Sequence, residues 1–167
     1  MADKIAILNK GRLQQYATPD EVYSRPHNIF VAGFIGSPPM NFIECSLIES
    51  DNTYYLDAGA FKLSIERELA ELIKKHATSS ELILGIRPEH TKLFTEPREN
   101  TIPARVYVIE PLGAEIILDV RIDETIFKMR LNPLDVPKGL SHDQEIWIGV
   151  DFDKIHIFDK RTELAIL

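Results

Sequence analysis

One stretch of the chain concentrates the residue types that do chemistry. Leu84-Gly85-Ile86-Arg87-Pro88-Glu89-His90 places a guanidinium, a carboxylate and an imidazole almost side by side. Such groups bind anions and transfer protons when they converge on one substrate atom. Here Pro88 fixes a turn directly after an apolar strand candidate, which favours a structural role. Gly85, Arg87, Pro88, Glu89 and His90 are therefore read as a loop between two β units or at an interface. A second group, Glu110, Leu112, Gly113 and Glu115, straddles a turn between two strand candidates. Gly113 is read there as the hairpin residue.

Other chemistries find little support. Ser79-Ser80 and Ser141-His142-Asp143 lie in polar segments without the glycine pattern of a nucleophile elbow. The five histidines, at 27, 76, 90, 142 and 156, include no pair at i, i+2 or i, i+4 spacing, and Cys45 is the single cysteine. No zinc site is expected from that spacing, and no intrachain disulfide is possible. A Gly-rich loop ending in Gly-Lys-Ser/Thr, which would cradle nucleotide phosphates, is absent. The net charge of −7 argues against a nucleic-acid surface, and Trp147 sits in an apolar strand candidate that suits a core better than a base-stacking platform. No apolar run approaches the roughly 20 residues of a membrane span, and no signal peptide is recognised. The expectation is a soluble cytoplasmic protein.

The elements around these residues follow from pattern. Residues 4–8 and 12–16 are strand candidates joined by the turn Asn9-Lys10-Gly11. Thr18-Pro19-Asp20-Glu21 opens a helix with a capping box and Pro at the first helical position. Pro26 ends that helix near Arg25. Asn28 caps a second short helix carrying Phe30, Val31, Phe34 and Ile35, which Gly36 and Pro38-Pro39 end. This N-terminal stretch is too small to build a core alone, and its apolar side chains are expected to remain partly exposed.

From Asn41 the texture becomes short strands: 42–49, 53–57, 61–65, 82–86, 104–110, 116–122, 125–131, 145–150 and 154–158. One amphipathic helix interrupts them, with Ile65, Leu69, Leu72 and Ile73 on its apolar stripe and Ser64 as its cap. Residues 132–144 are the longest loop candidate. Many short strands with one helix predict small barrels or a sandwich.

Several stretches carry a resemblance beyond periodicity. Ala2-Asp3-Lys4-Ile5-Ala6-Ile7-Leu8 with Gly11-Arg12, then Thr18-Pro19, Glu21 and Tyr23, then 30–38 and Met40-Asn41-Phe42, are similar to the segment leaving the ATPase domain of carbohydrate-type ABC importers. The stretch 84–90, Glu110 with Leu112-Gly113 and Glu115, and His156-Ile157-Phe158-Asp159 resemble landmarks of the same family's regulatory region. The resemblance implies a mainly β fold of OB-like barrels, the transport-associated OB domain, over 41–167. Residues 1–40 would be an α/β remnant of an ABC ATPase domain. It implies a non-catalytic regulatory and dimerisation region, with ATP and magnesium bound only by the parent subunit. Its implied partners are a second copy, permease subunits and a regulatory protein, at the cytoplasmic side of the membrane. The loops at 85–90 and 110–115 are the contact segments expected for the second copy. The alternative kept open is a sensing domain for a sugar or an oxyanion.

Overall fold

The structure is a computed structural model that describes residues 3–167, so Met1 and Ala2, which open the N-terminal run, lie outside the described residues. It begins with a two-stranded antiparallel hairpin, β1 (Ile5–Asn9) and β2 (Arg12–Ala17). Helix α1 (Pro19–Ser24) starts with the expected reciprocal cap: Thr18 Oγ1 accepts from the Glu21 amide, and the Glu21 carboxylate accepts from the Thr18 amide. Helix α2 (Ile29–Phe34) is capped by Asn28 Oδ1, which accepts from the Val31 amide at 2.9 Å. Both caps satisfy N–H groups that a helix start leaves without partners.

Ten strands then form two five-stranded antiparallel sheets. The first has the order β12-β6-β3-β4-β5, made of β3 (Asn41–Ser50), β4 (Thr53–Asp57), β5 (Lys62–Ile65), β6 (Glu81–Ile86) and β12 (His156–Asp159). The second has the order β10-β9-β8-β11-β7, made of β7 (Thr91–Phe94), β8 (Ile102–Pro111), β9 (Ile116–Ile122), β10 (Thr125–Leu131) and β11 (Glu145–Val150). Alternation along β9 buries Leu118, Val120 and Ile122 and turns Arg121 outward. These residues share one apolar core with Leu56, Leu63, Leu82, Leu84, Phe127, Met129, Ile146 and Ile148. Each such side chain, fully buried, contributes about 1.5–3 kcal/mol.

Helix α3 (Arg67–His76) departs from expectation at its start. Ser64 does not cap it; Glu66 occupies the cap position without a side-chain bond. Ser64 and Ile65 belong to β5, and the buried helix residues are Ala70 and Ile73. Strand β7 was not foreseen, because only four residues separate a turn from a polar loop there.

Two asparagines join the sheets reciprocally. Asn41, on β3, offers its side-chain amide to the edge strand β10: Oδ1 accepts from Lys128 N at 2.7 Å and Nδ2 donates to Lys128 O at 2.8 Å. Asn100, just before β8, does the same to the edge strand β5, accepting from Ser64 N at 2.7 Å and donating to Ser64 O at 3.0 Å. Each amide imitates one rung of a β ladder and occupies edge groups that would otherwise pair with another chain. The outer side of β12 is covered by the chain's own last residues, through Ile166 N to Ile157 O at 2.7 Å and Asp159 N to Leu164 O at 3.0 Å.

Candidate functional site

The stretch that drew attention in the sequence lies where the two sheets meet. It leaves the end of β6, makes a short 3-10 turn over Pro88–His90, and enters β7 in the other sheet. That agrees with the expected loop between two β units. Its use as a contact for a second copy does not fit, because Gly85, Arg87 and Pro88 are buried within the chain.

Arg87 is the centre of the junction and is only 1% exposed. Its guanidinium reaches into the N-terminal segment. Nη1 donates to Ile35 O at 2.9 Å and Nη2 to Tyr23 O at 2.6 Å, and the group stacks over the Tyr23 ring at 3.9 Å. Tyr23 lies in the last turn of α1, and Ile35 is the C-cap of α2. The last carbonyls of a helix lack internal donors and carry the negative end of its dipole. One guanidinium therefore satisfies the C-terminal ends of two consecutive helices. No carboxylate pairs with Arg87 among the described residues, and burial alone draws it down to about 10, so it stays charged at neutral pH.

Two glycines make this geometry possible. A Cβ on Gly36 would come within 3.2 Å of Arg87 Nη1, and the residue has a φ of +120°. A Cβ on Gly85 would approach Met40 Sδ at 2.6 Å and Phe158 Cε2 at 2.9 Å. Gly85 pairs with Phe42 on one side and His156 on the other, and the missing side chain lets Met40 and Phe158 close over the strand.

His156 is also buried, and burial, with the Arg87 charge beside it, pushes its imidazole down to about 4. It is neutral at physiological pH. The His90 amide donates to Arg87 O at 3.0 Å, and the His90 carbonyl accepts from Asp151 N at 3.1 Å. His90 Nδ1 and Arg87 Nε are buried without a hydrogen-bond partner among the described residues. Glu89 is half-buried and makes no side-chain hydrogen bond or ion pair among the described residues. The three groups thus do not converge as an acid/base set, and the arrangement binds the chain's own carbonyls. A groove of about 1630 Å³ runs along the junction between Tyr23–His27, the start of α3 and the last residues of the chain.

The second sequence group sits elsewhere. Glu110 is the second-last residue of β8 and is exposed, Leu112 is 58% exposed, and Gly113 turns the hairpin with a φ of +80°. Glu115 forms an ion pair with Arg130 of β10. Among the described residues no hydrogen bond or ion pair links this turn to residues 85–90. Asp159, the last of the late landmark residues, is buried and accepts from Thr78 and Thr162. These bonds hold its carboxylate well below the usual range.

Sequence reasoning missed the roles of Asn41 and Asn100. The available signal was an amide side chain at each strand border, but its partner lies 87 or 36 residues away. The thiol of Cys45 is buried and pushed up to about 12, far from the reactive thiolate. No group of three or more His, Cys, Asp or Glu side chains that could hold a metal occurs among the described residues. No helix among them is long and apolar enough to cross a membrane.

Two antiparallel sheets of short strands sharing one core, with one interrupting helix, define an OB-like β protein. The MalK OB fold domain family matches residues 36–91, and the TOBE domain family matches residues 84–158. The overlap of the two matches, 84–91, contains the Arg87 loop. The trehalose/maltose import ATP-binding protein MalK of Thermococcus litoralis is 39% identical over 99% of this chain and 45% of its own length. The oligosaccharides import ATP-binding protein MsmX of Bacillus subtilis is 36% identical over 99% of this chain and 45% of its own length. The sulfoquinovosyl glycerol transport ATP-binding protein SmoE of Agrobacterium fabrum is 34% identical over 99% and 44%. The chain carries the MalK OB fold and TOBE domains, and the relatives that align with nearly its whole length are sugar ABC importer ATP-binding subunits. It spans slightly under half the length of the curated relatives it matches. The molybdate-bound cytoplasmic protein ModG shares the fold, with a TM-score of 0.54 at 16% identity over 70% of this chain and 94% of that one.

Proposed function

We propose that this chain is the regulatory and dimerisation region of the ATP-binding subunit of a sugar-type ABC importer. In the parent subunit, ATP and magnesium would be bound by an ATPase domain, and hydrolysis would drive uptake of a sugar or sugar-like solute. Residues 1–40 are the part that belongs with that ATPase domain, and residues 41–167 form the regulatory part. The chain itself has no catalytic role in this reading.

The observation that carries the reading is the asymmetry of the N-terminal hairpin. Ile7 and Gln15 face inward and are buried, whereas Leu8, Leu13 and Tyr16 face outward and are more than half exposed. An isolated two-stranded hairpin is marginal in water, and exposed apolar side chains on one face suit further protein packed against it. The relatives are named ATP-binding proteins, and an ATPase domain is the occupant that this reading assigns. The partners are then a second copy, permease subunits and a regulatory protein, at the cytoplasmic face of the membrane. Pairing would use faces and turns of the two-sheet region, since the edges of β5, β10 and β12 are occupied. Tyr107, Val108, Leu112, Ile126 and Leu134 offer exposed apolar surface there.

A chimera tests this. This chain replaces the matched region of the Thermococcus litoralis relative, joined to that protein's own ATP-binding half. A paired subunit that hydrolyses ATP with its permease is the expected result. A chimera that folds but neither pairs nor supports turnover would overturn the reading.

A further inference from the structure

We infer that Arg87 is the positioning residue that sets the orientation of α1 and α2 against the two sheets, so that residues 3–36 open as one unit when its grip is lost. The inference deepens the coupling role proposed above and rests on it for its consequence, because a segment belonging with an ATPase domain can pass motion to the sheets only through the contacts that hold it.

Those contacts are few and of two kinds. At α2, the Ile29 amide donates to Glu163 O at 3.0 Å, the Ala165 amide donates to His27 O at 2.9 Å, and Ala32 packs with Met40 and Phe158. These reach the start and middle of α2 and leave α1 out. Helix α1 meets the rest of the chain through Val22, which shares a small cluster with Ile7 and Val31 inside the segment itself, and through Tyr23. The Tyr23 carbonyl and ring both engage Arg87. Because the same guanidinium also holds Ile35 O, it fixes the far ends of both helices at once. A planar fork with several donors can do this; a lysine ammonium cannot serve two carbonyls and an aromatic face in the same geometry. The absent Cβ at Gly36 leaves the room the fork occupies. The loop that carries Arg87 is one of two covalent links between the sheets, the other joining β11 to β12, so a shift of one sheet against the other moves the guanidinium and the two helix ends with it.

Hydrogen exchange followed by mass spectrometry reads this directly in the whole chain. In Arg87→Met, amides within residues 19–36 are expected to exchange at least about tenfold faster, while amides of β6 and β9 stay within about twofold of the unchanged protein. Arg87→Lys should fall between the two. Equal acceleration in every segment would mean that Arg87 is only a stabilising core group, and no acceleration anywhere would mean that it holds nothing; either result overturns the inference. Should Arg87→Met fail to fold, Tyr23→Leu removes the ring under the guanidinium and keeps the arginine. Selective acceleration within 19–36 then supports the inference, and its absence overturns it. The exchange experiment reads the grip without ATP or permease, and the chimera reads the coupling, so either can fail without the other.

Discussion

The N-terminal segment and the two-sheet region are held together by different physics. Residues 3–36 have well-formed local structure, with a capping box at α1, a side-chain cap at α2 and a tight turn in the hairpin. Their own buried apolar cluster, however, is only Ile7, Val22 and Val31, and Phe34 is 65% exposed. The two-sheet region has weaker local signals, including a helix with no side-chain cap. It has one continuous core drawn from both sheets and two amide clips across them. Local order without a core yields correctly shaped elements whose placement depends on borrowed contacts. A shared core yields placement even where local signals fail. In this protein the borrowed contacts meet at Arg87 and around Phe158.

The contrast can be broken most severely from the core side. Phe127→Ala empties a fully buried position shared by both sheets and should cost about 3–5 kcal/mol. Chemical denaturation should show the loss as a lower midpoint, with both regions unfolding together because the segment depends on the sheets. If the two-sheet region kept its midpoint, the single shared core would be wrong.

Acid sharpens the contrast at the junction. The folded-state value of His156 is near 4, below its unfolded value of about 6.5. The unfolded chain therefore takes up the proton first. Stability from this group is complete above about pH 6.5 and is lost as the pH falls toward 4, with a slope of at most about 1.4 kcal/mol per pH unit. The Asp159 carboxylate is depressed as well, so its contribution is present above its ordinary value and is lost at more acidic pH, as its folded value is crossed. Thermal unfolding of the wild type and His156→Gln between pH 7 and pH 4.5 separates the two. The wild type should lose stability over that range and the variant should lose less. Parallel curves would show that His156 is not buried in its neutral form.

The smallest effect is expected on the segment side. Thr18→Ala removes the α1 cap and should cost about 1 kcal/mol locally. The far-ultraviolet signal of the helices should change slightly, with little shift in the unfolding of the sheets. A loss as large as that of a core substitution would mean that the segment is not a separate unit.

What the sequence disclosed follows the same division. The caps at Thr18 and Asn28, the turn glycines and the strands 116–122 and 125–131 were legible because their causes lie within a few residues. The junction was legible only as a conspicuous motif. Arg87 meets its two carbonyls 52 and 64 residues away, and Asn41 meets Lys128 across 87 residues. Pairings of that range depend on the folded arrangement and leave no local pattern. Ser64 failed as a cap for a related reason: its backbone was taken into β5 and joined to Asn100.

The central claim is that this chain pairs with a second copy through the two-sheet region, and sedimentation equilibrium over a concentration series tests it most directly. The monomer has a mass of 19.0 kDa. The account predicts a reversible shift toward twice that mass, with a midpoint of about tens of micromolar, as suits a modest interface that other domains would reinforce. Substituting the exposed Leu112 by Asp should move that midpoint to higher concentration if the 110–115 turn lies in the contact. A single species at the monomer mass up to about 300 µM would contradict the claim.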